Sequence, residues 1–234
     1  MAAPRWLNRI ADLGPGCAAL AQAMDRAASA QARMPRPVDL VAVLRDLPWG
    51  EPSRTDIGHA LLEWRATAAL KHALLAATLQ AAGLEARLAM AHYRLSPRTL
   101  TWLPEGAARH LPPGGVADVW PFVLADFGGG ETAVDLTWPT ALAPAGFPVL
   151  GLTLHLGELA VEAAEIYEQE AGAAGEQARE RWRVELADEA LPASLAAREA
   201  LDAFAAAHAL PCAAADGVAA SLEKTPPGSL FRGS

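Results

Sequence analysis

From Thr67 the chain reads Thr-Ala-Ala-Leu-Lys-His-Ala-Leu-Leu-Ala-Ala-Thr-Leu-Gln-Ala-Ala and then Gly83. Alanine, leucine and glutamine are strong helix formers, Thr67 offers a side-chain oxygen for the first free amides, and Gly83 suits the left-handed residue that stops a helix. So apolar a helix is predicted to be buried and central. The chain as a whole can bury such a helix: it has 234 residues, of which 52% are hydrophobic and 20% charged.

The flanking segments predict its surroundings. Residues 17–33 read as an Ala-rich helix ended by Pro35 and Pro37, and a second helix covers Val38 to Leu44. The run from Pro48 to Asp56 has turn chemistry, with Ser53, Thr55 or Asp56 able to cap a helix holding Ile57, Leu61 and Trp64. After Gly83, Leu84 to Leu95 reads as an interior strand, with Leu88, Met90 and His92 on one face and Ala89, Ala91 and Tyr93 on the other. Residues 96–115 form a Pro-rich connection that would wander over a site.

Asp118 to Ala125 and Thr132 to Thr137 read as an antiparallel hairpin, with Pro121 pushing the first strand toward an edge or a bulge. Residues 138–157 carry three prolines and give no clear assignment beyond a further strand at Val149 to Leu156. Helices are expected at Leu159 to Tyr167, Glu176 to Glu185 and Ala193 to Ala207, the last sharing Leu195, Leu201, Phe204 and His208 on much of one face. The tail from Lys224 to Ser234 is expected to be disordered. The predicted class is α+β, with a core over residues 1–160, a helical extension over 161–223 packed on it, and the tail at 224–234.

Charge narrows the function. The net charge is −8, and no stretch sets Lys and Arg among aromatic residues, so nucleic acid is not an expected partner. Each long apolar run is broken before the ~20 residues that span a bilayer. The first thirty residues lack the unbroken apolar middle of a secretory signal, and a cytoplasmic location is expected. Cys17 and Cys212 are too far apart in sequence to suggest a clustered zinc site, and both are expected to pack as small apolar residues. The histidines, at 59, 72, 92, 110, 155 and 208, show no metal-site spacing, apart from a convergence of His92 with Asp118 and Asp135 that the sequence leaves open. Neither a metal nor a cofactor is implied.

Arg65-Ala66-Thr67-Ala68-Ala69-Leu70-Lys71-His72-Ala73-Leu74-Leu75 resembles the nucleophile region of bacterial transglutaminase-like proteins, where the pattern runs approximately Arg-Gly-Thr-Cys-Ser-x-Lys-His-Ala-Leu-Leu. The upstream Leu47-Pro48-Trp49-Gly50-Glu51-Pro52-Ser53-Arg54 and the downstream Val134-Asp135-Leu136-Thr137-Trp138-Pro139 extend the resemblance over Leu47 to Pro139. It implies a papain-like fold, in which a central helix presents a cysteine at its N-terminus against an antiparallel sheet that supplies His and Asp, with additional helices at both ends. There the helix dipole and an imidazolium favour the thiolate while the acid orients the imidazole.

The resemblance puts Ala68 at the cysteine position, Asp118 of Asp118-Val119-Trp120 where relatives read His-x-Trp, and Asp135 at the retained acid. A methyl group neither ionises nor attacks an acyl carbon, so cysteine-dependent transglutaminase or protease chemistry is excluded at that position. The expected function is a pseudoenzyme: a catalytically vacant domain that binds a small molecule or a protein, or acts as a scaffold, with Trp120, Trp138 and Lys71 lining the cleft. The alternative is a non-thiol enzyme in which Asp118 and Asp135, with His72 or His92, do acid–base work on a small biosynthetic intermediate. A third reading makes the C-terminal helical stripe a partner surface. Asp118 and Asp135 as solvated strand-end carboxylates, His72 as a packing residue and Lys71 as a solvated surface cation are the plainer readings of the same residues.

Overall fold

The computed structural model describes residues 4–149, 159, 165–168 and 191–208. Five helices come first: α1 (Arg5–Ala11), α2 (Pro15–Ala30), α3 (Asp39–Arg45), α4 (Ile57–Leu62) and α5 (Ala68–Ala82). They are followed by β1 (Ala86–Leu95), a short α6 (Glu105–Ala108), β2 (Val116–Asp126), β3 (Glu131–Val134), a 3-10 helix at Thr140–Ala145, β4 (Glu165–Glu168) and α7 (Leu191–His208).

The helix α5 is built as its residues dictate. Thr67 sits in extended geometry and its hydroxyl accepts from the Leu70 amide at 3.5 Å, while Gly83 takes φ 90°. The Leu84 amide then reaches back to the Leu79 carbonyl, the bond that closes a Schellman stop. Arg9 of α1 donates to the Ala82 carbonyl at 2.7 Å, placing a cation on the negative end of the helix dipole. Residues on every side of α5 are buried, including Lys71 and His72.

The four strands run antiparallel in the order β3-β2-β1-β4. Register places Met90 opposite Pro121 and Tyr93 opposite Asp118. The sheet buries both faces. Val123, Ala125 and Val134 join the core made by α1 to α5, whereas Ala89, Ala91, Tyr93, Trp120 and Phe122 join a second core with Leu142, Phe147 and the α7 residues Ala197, Leu201 and Ala205. Helices on one side and α7 with the 3-10 helix on the other therefore sandwich the sheet. Asp126 shapes the hairpin turn by accepting from the amides of Gly128 and Gly130, which take φ 97° and 100°.

The α+β class, the buried central helix, the interior strand and the hairpin all match what the sequence predicts. Pro121 lies inside β2, but β3 pairs only with Val123 to Asp126. Among the described residues nothing pairs with that side of β2 at Pro121, so the missing amide costs no ladder bond there.

Other segments differ. Tyr167, with Glu165 and Ile166, lies in β4 rather than in a helix, because the open side of β1 offers Ala89 to His92 a pairing partner and the β-prone Ile166 and Tyr167 take it. The helix expected to hold Trp64 stops at Leu62, and Trp64 adopts φ 52° as the chain turns back to bridge Trp49 with Ala66. On α7 the buried face is Ser194, Ala197, Arg198, Leu201 and Ala205, with His208 exposed and Leu195 half-buried, so the stripe is rotated from the expected one by its buried arginine. Within the 96–115 connection, α6 and Trp102 turn back onto the second core. The strand expected at Val149 to Leu156 lies, beyond Val149, outside the described residues, as do the helix at Glu176 to Glu185, Cys212 and the tail.

Candidate functional site

Ala68 opens α5 directly after its cap and is 2% exposed, in one core with Trp49, Trp120 and Trp138. One turn on, His72 holds its ring between two backbone groups: Nδ1 is 2.7 Å from the Ala68 carbonyl, and the Leu136 amide donates to Nε2 at 2.7 Å. An amide can only donate, so Nε2 is the bare nitrogen and Nδ1 carries the proton. Nε2 also lies 3.5 Å from Asp135 Oδ1. With Nε2 already accepting from Leu136, that proximity is not a charged pair. His72 thus ties the start of α5 to the segment leaving β3, which is the packing reading of this residue.

Asp135 lies just beyond β3. Its Oδ2 accepts from the Trp120 indole at 2.7 Å and its Oδ1 from the Thr137 amide at 2.8 Å. Ala68, His72, Asp135 and Trp120 are thereby gathered at the amino end of α5. Asp118 stands two residues before Trp120 on the same strand face and is fully buried rather than solvated. Arg198 Nε donates to its Oδ2 at 2.6 Å, the Tyr93 hydroxyl does so at 3.2 Å, and its Oδ1 accepts from the Val119 amide at 2.8 Å. The guanidinium lies 5.6 Å from the Trp120 ring centre and 5.8 Å from that of Tyr93. Burial opposes the charge on Arg198, but Asp118, Tyr93 and Asp202 outweigh it and hold the group above the ordinary guanidinium range.

Trp138 is the centre of an aromatic cluster. It stacks on Trp49 at 4.9 Å and meets Phe147 at 4.6 Å, Trp102 at 5.4 Å and Trp120 at 5.9 Å edge-on. Such pairs each contribute about 0.5–1.5 kcal/mol beyond their area. Among the described residues, the buried Trp138 Nε1 and Thr137 Oγ1 have no hydrogen-bond partner.

Lys71 is not a solvated cation. It is fully buried, donates from Nζ to the Arg45 carbonyl at 2.7 Å, and lies 5.8 Å from the Trp49 ring centre. Burial, with a smaller push from Arg45, brings its pKa down to about 7 against the opposing charge of Asp46. Burial would raise Asp46, yet Arg45 and the bonds from Thr140 keep its carboxyl below the usual range. Asp46 receives both the amide and the hydroxyl of Thr140, at 2.8 and 2.7 Å, and so fixes the 3-10 helix beneath the aromatic cluster.

His92 occupies the β1 register opposite Val119 and Glu165, one position before Tyr93. Cys17 packs in the helical core, where burial pushes its thiol up to about 11. No group of three or more His, Cys, Asp or Glu suited to a metal ion occurs among the described residues. Two partners that sequence reasoning missed, Tyr93 and Arg198, complete the surroundings of Asp118. Arg198 carried a signal: a lone guanidinium on the Ala197, Leu201, Ala205 face of an Ala-rich helix. Trp49 and Trp102 are further members with no more than their residue type to mark them. No family model, no curated protein and no solved structure matches this chain.

Proposed function

We propose that the chain is a catalytically vacant transglutaminase-like domain, a pseudoenzyme of papain-like descent that works by binding a small molecule or a protein partner. One observation carries the reading: the first residue of a capped, buried central helix, beside His72, Asp135 and Trp120, is an alanine. The positive end of α5 would favour a thiolate at this position, and the side chain that stands there has nothing to ionise. Two further features favour binding. His72 spends both nitrogens on the backbone, and Asp118 is held by Arg198, so neither is placed for proton transfer. The unpartnered Trp138 Nε1 and Thr137 Oγ1 are polar atoms that a bound group would satisfy. The acid–base alternative, with Asp118 and Asp135 sharing a proton, is weakened because each carboxylate accepts from its own donors. No helix among the described residues is long and apolar enough to cross a membrane.

Restoring sulfur tests the proposal. Because Arg198 holds Asp118, the variant is Ala68→Cys with Asp118→His and Arg198→Ala, and the buried Cys17 serves as the internal control. The introduced thiol is expected to react with iodoacetamide well ahead of Cys17, with a rate that follows the ionisation of the new imidazole. A folded variant whose introduced thiol is as inert as Cys17 contradicts the assignment of Ala68.

A further inference from the structure

Residues of β1 and β2 form a receptacle around one flat cation. Tyr93 and Asp118 are cross-strand partners, and Trp120 follows on the same face. Into this space α7 sends the guanidinium of Arg198. Its Nε reaches Asp118 Oδ2 at 2.6 Å, and its Nη2 reaches the Tyr93 hydroxyl at 2.5 Å and the Val119 carbonyl at 3.4 Å. Its central carbon lies over the Trp120 and Tyr93 rings, 5.6 and 5.8 Å from their centres. Donors spread along a rigid fork to meet three fixed oxygens while the cation sits over two ring faces fit a guanidinium, and a compact ammonium cannot reproduce that spread.

Among the α7 residues whose burial is described, Ser194, Ala197, Leu201 and Ala205 are buried beside Arg198, and Ala193, Ala200 and Phe204 pack half-buried against the same core. Phe204 adds a stack on Phe147 at 5.7 Å. Beside these mostly small side chains, Arg198 is the charged anchor of the helix.

We propose that Asp118, Tyr93, Trp120 and the Val119 carbonyl are a guanidinium-binding site that α7 fills in cis, and that a protein partner presenting an arginine takes this site by displacing α7. The inference rests on the binding reading and names its ligand class. In the vacant-site account, the carboxylate at position 118 has exchanged proton chemistry for recognition of a cation.

The probe is ethylguanidinium, which replaces the atoms that Arg198→Ala removes. Thermal unfolding of Arg198→Ala in the full chain is expected to shift upward and saturably with ethylguanidinium, with an apparent affinity about tenfold or more above that for n-propylammonium. The double variant Asp118→Asn with Arg198→Ala is expected to lose that preference. If Arg198→Ala does not fold unaided, the same comparison is read as recovery of folded protein on dilution from urea with each cation. Equal responses to both cations, or none, overturn the site. In the unsubstituted protein, millimolar ethylguanidinium is expected to speed amide exchange across residues 191–208 and leave residues 68–82 unchanged. Equal acceleration of both segments, or none in α7, overturns the displacement. Either failure leaves the Ala68 thiol experiment to judge the vacant-site reading separately.

Discussion

The two ends of the Trp120 side chain face different kinds of polar structure. Its indole edge meets Asp135, beside a neutral imidazole whose bonds go to backbone groups; its ring face meets Arg198, which forms a buried ion pair with Asp118. The first network joins α5 to the segment just after β3, with His72 and Leu136 64 positions apart. The second joins residues separated by 80 positions. Neutral hydrogen bonds are forgiving because a lost partner strands only a dipole, whereas a stranded buried charge is costly. Buried polar groups therefore serve two ends here: the hydrogen bonds of the neutral His72 ring fix the central helix, and the Arg198–Asp118 ion pair holds a separate helix in place.

Breaking the charged side should have the largest effect. Arg198→Ala is expected to destabilise the fold by about 3–5 kcal/mol, read as a fall in the urea midpoint, because it removes the guanidinium that meets the buried Asp118 carboxylate. Replacing both members, as in Asp118→Leu with Arg198→Met, is expected to recover most of that loss. A double variant as unstable as Arg198→Ala would show that geometry, not charge, carries the pair.

On the His72 side, His72→Phe keeps the ring volume but strands the Leu136 amide and removes the ring's bond to the Ala68 carbonyl. The expected cost is about 1–3 kcal/mol by the same urea measurement. A loss as large as that of Arg198→Ala would erase the distinction between the two networks.

Lys71 lies between these cases. Its folded pKa of about 7 is below that of an exposed lysine, so the unfolded chain binds the extra proton between the two values. Stability from this group is absent below about pH 7, grows through the alkaline range at up to about 1.4 kcal/mol per pH unit, and is complete only above the unfolded value near 10.4. Urea midpoints at pH 7 and 9 should rise in the wild type more than in Lys71→Met; equal slopes would contradict the assignment. The smallest effect is expected at the helix cap, where Thr67→Ala should cost about 1 kcal/mol in thermal or urea unfolding.

The sequence made local features legible and left long-range ones hidden. Thr67 and Gly83 announced the limits of α5 because capping depends on neighbours within a turn. Alternation disclosed β1, and the Gly-rich turn disclosed the antiparallel pairing of β2 with β3. The strand at Glu165–Glu168 was not legible, since its pairing partner lies far back in β1. At the site, His72 could be placed by its one-turn offset from Ala68, whereas Asp135 was singled out only through the resemblance. Arg198 shares its helix face with Ala197, Leu201 and Ala205, but nothing local says which carboxylate it meets 80 positions away. Lys71 misled for the same reason: its burial depends on Trp49 and Arg45 closing over it from another helix and its following turn.

The central claim is that the polar groups at the amino end of α5 hold the fold rather than perform chemistry. Nitrogen NMR of the His72 imidazole near neutral pH tests it most directly. The account predicts a proton on Nδ1 and a bare Nε2 accepting from the Leu136 amide; a proton on Nε2 directed at Asp135 would make a working acid–imidazole pair and contradict it.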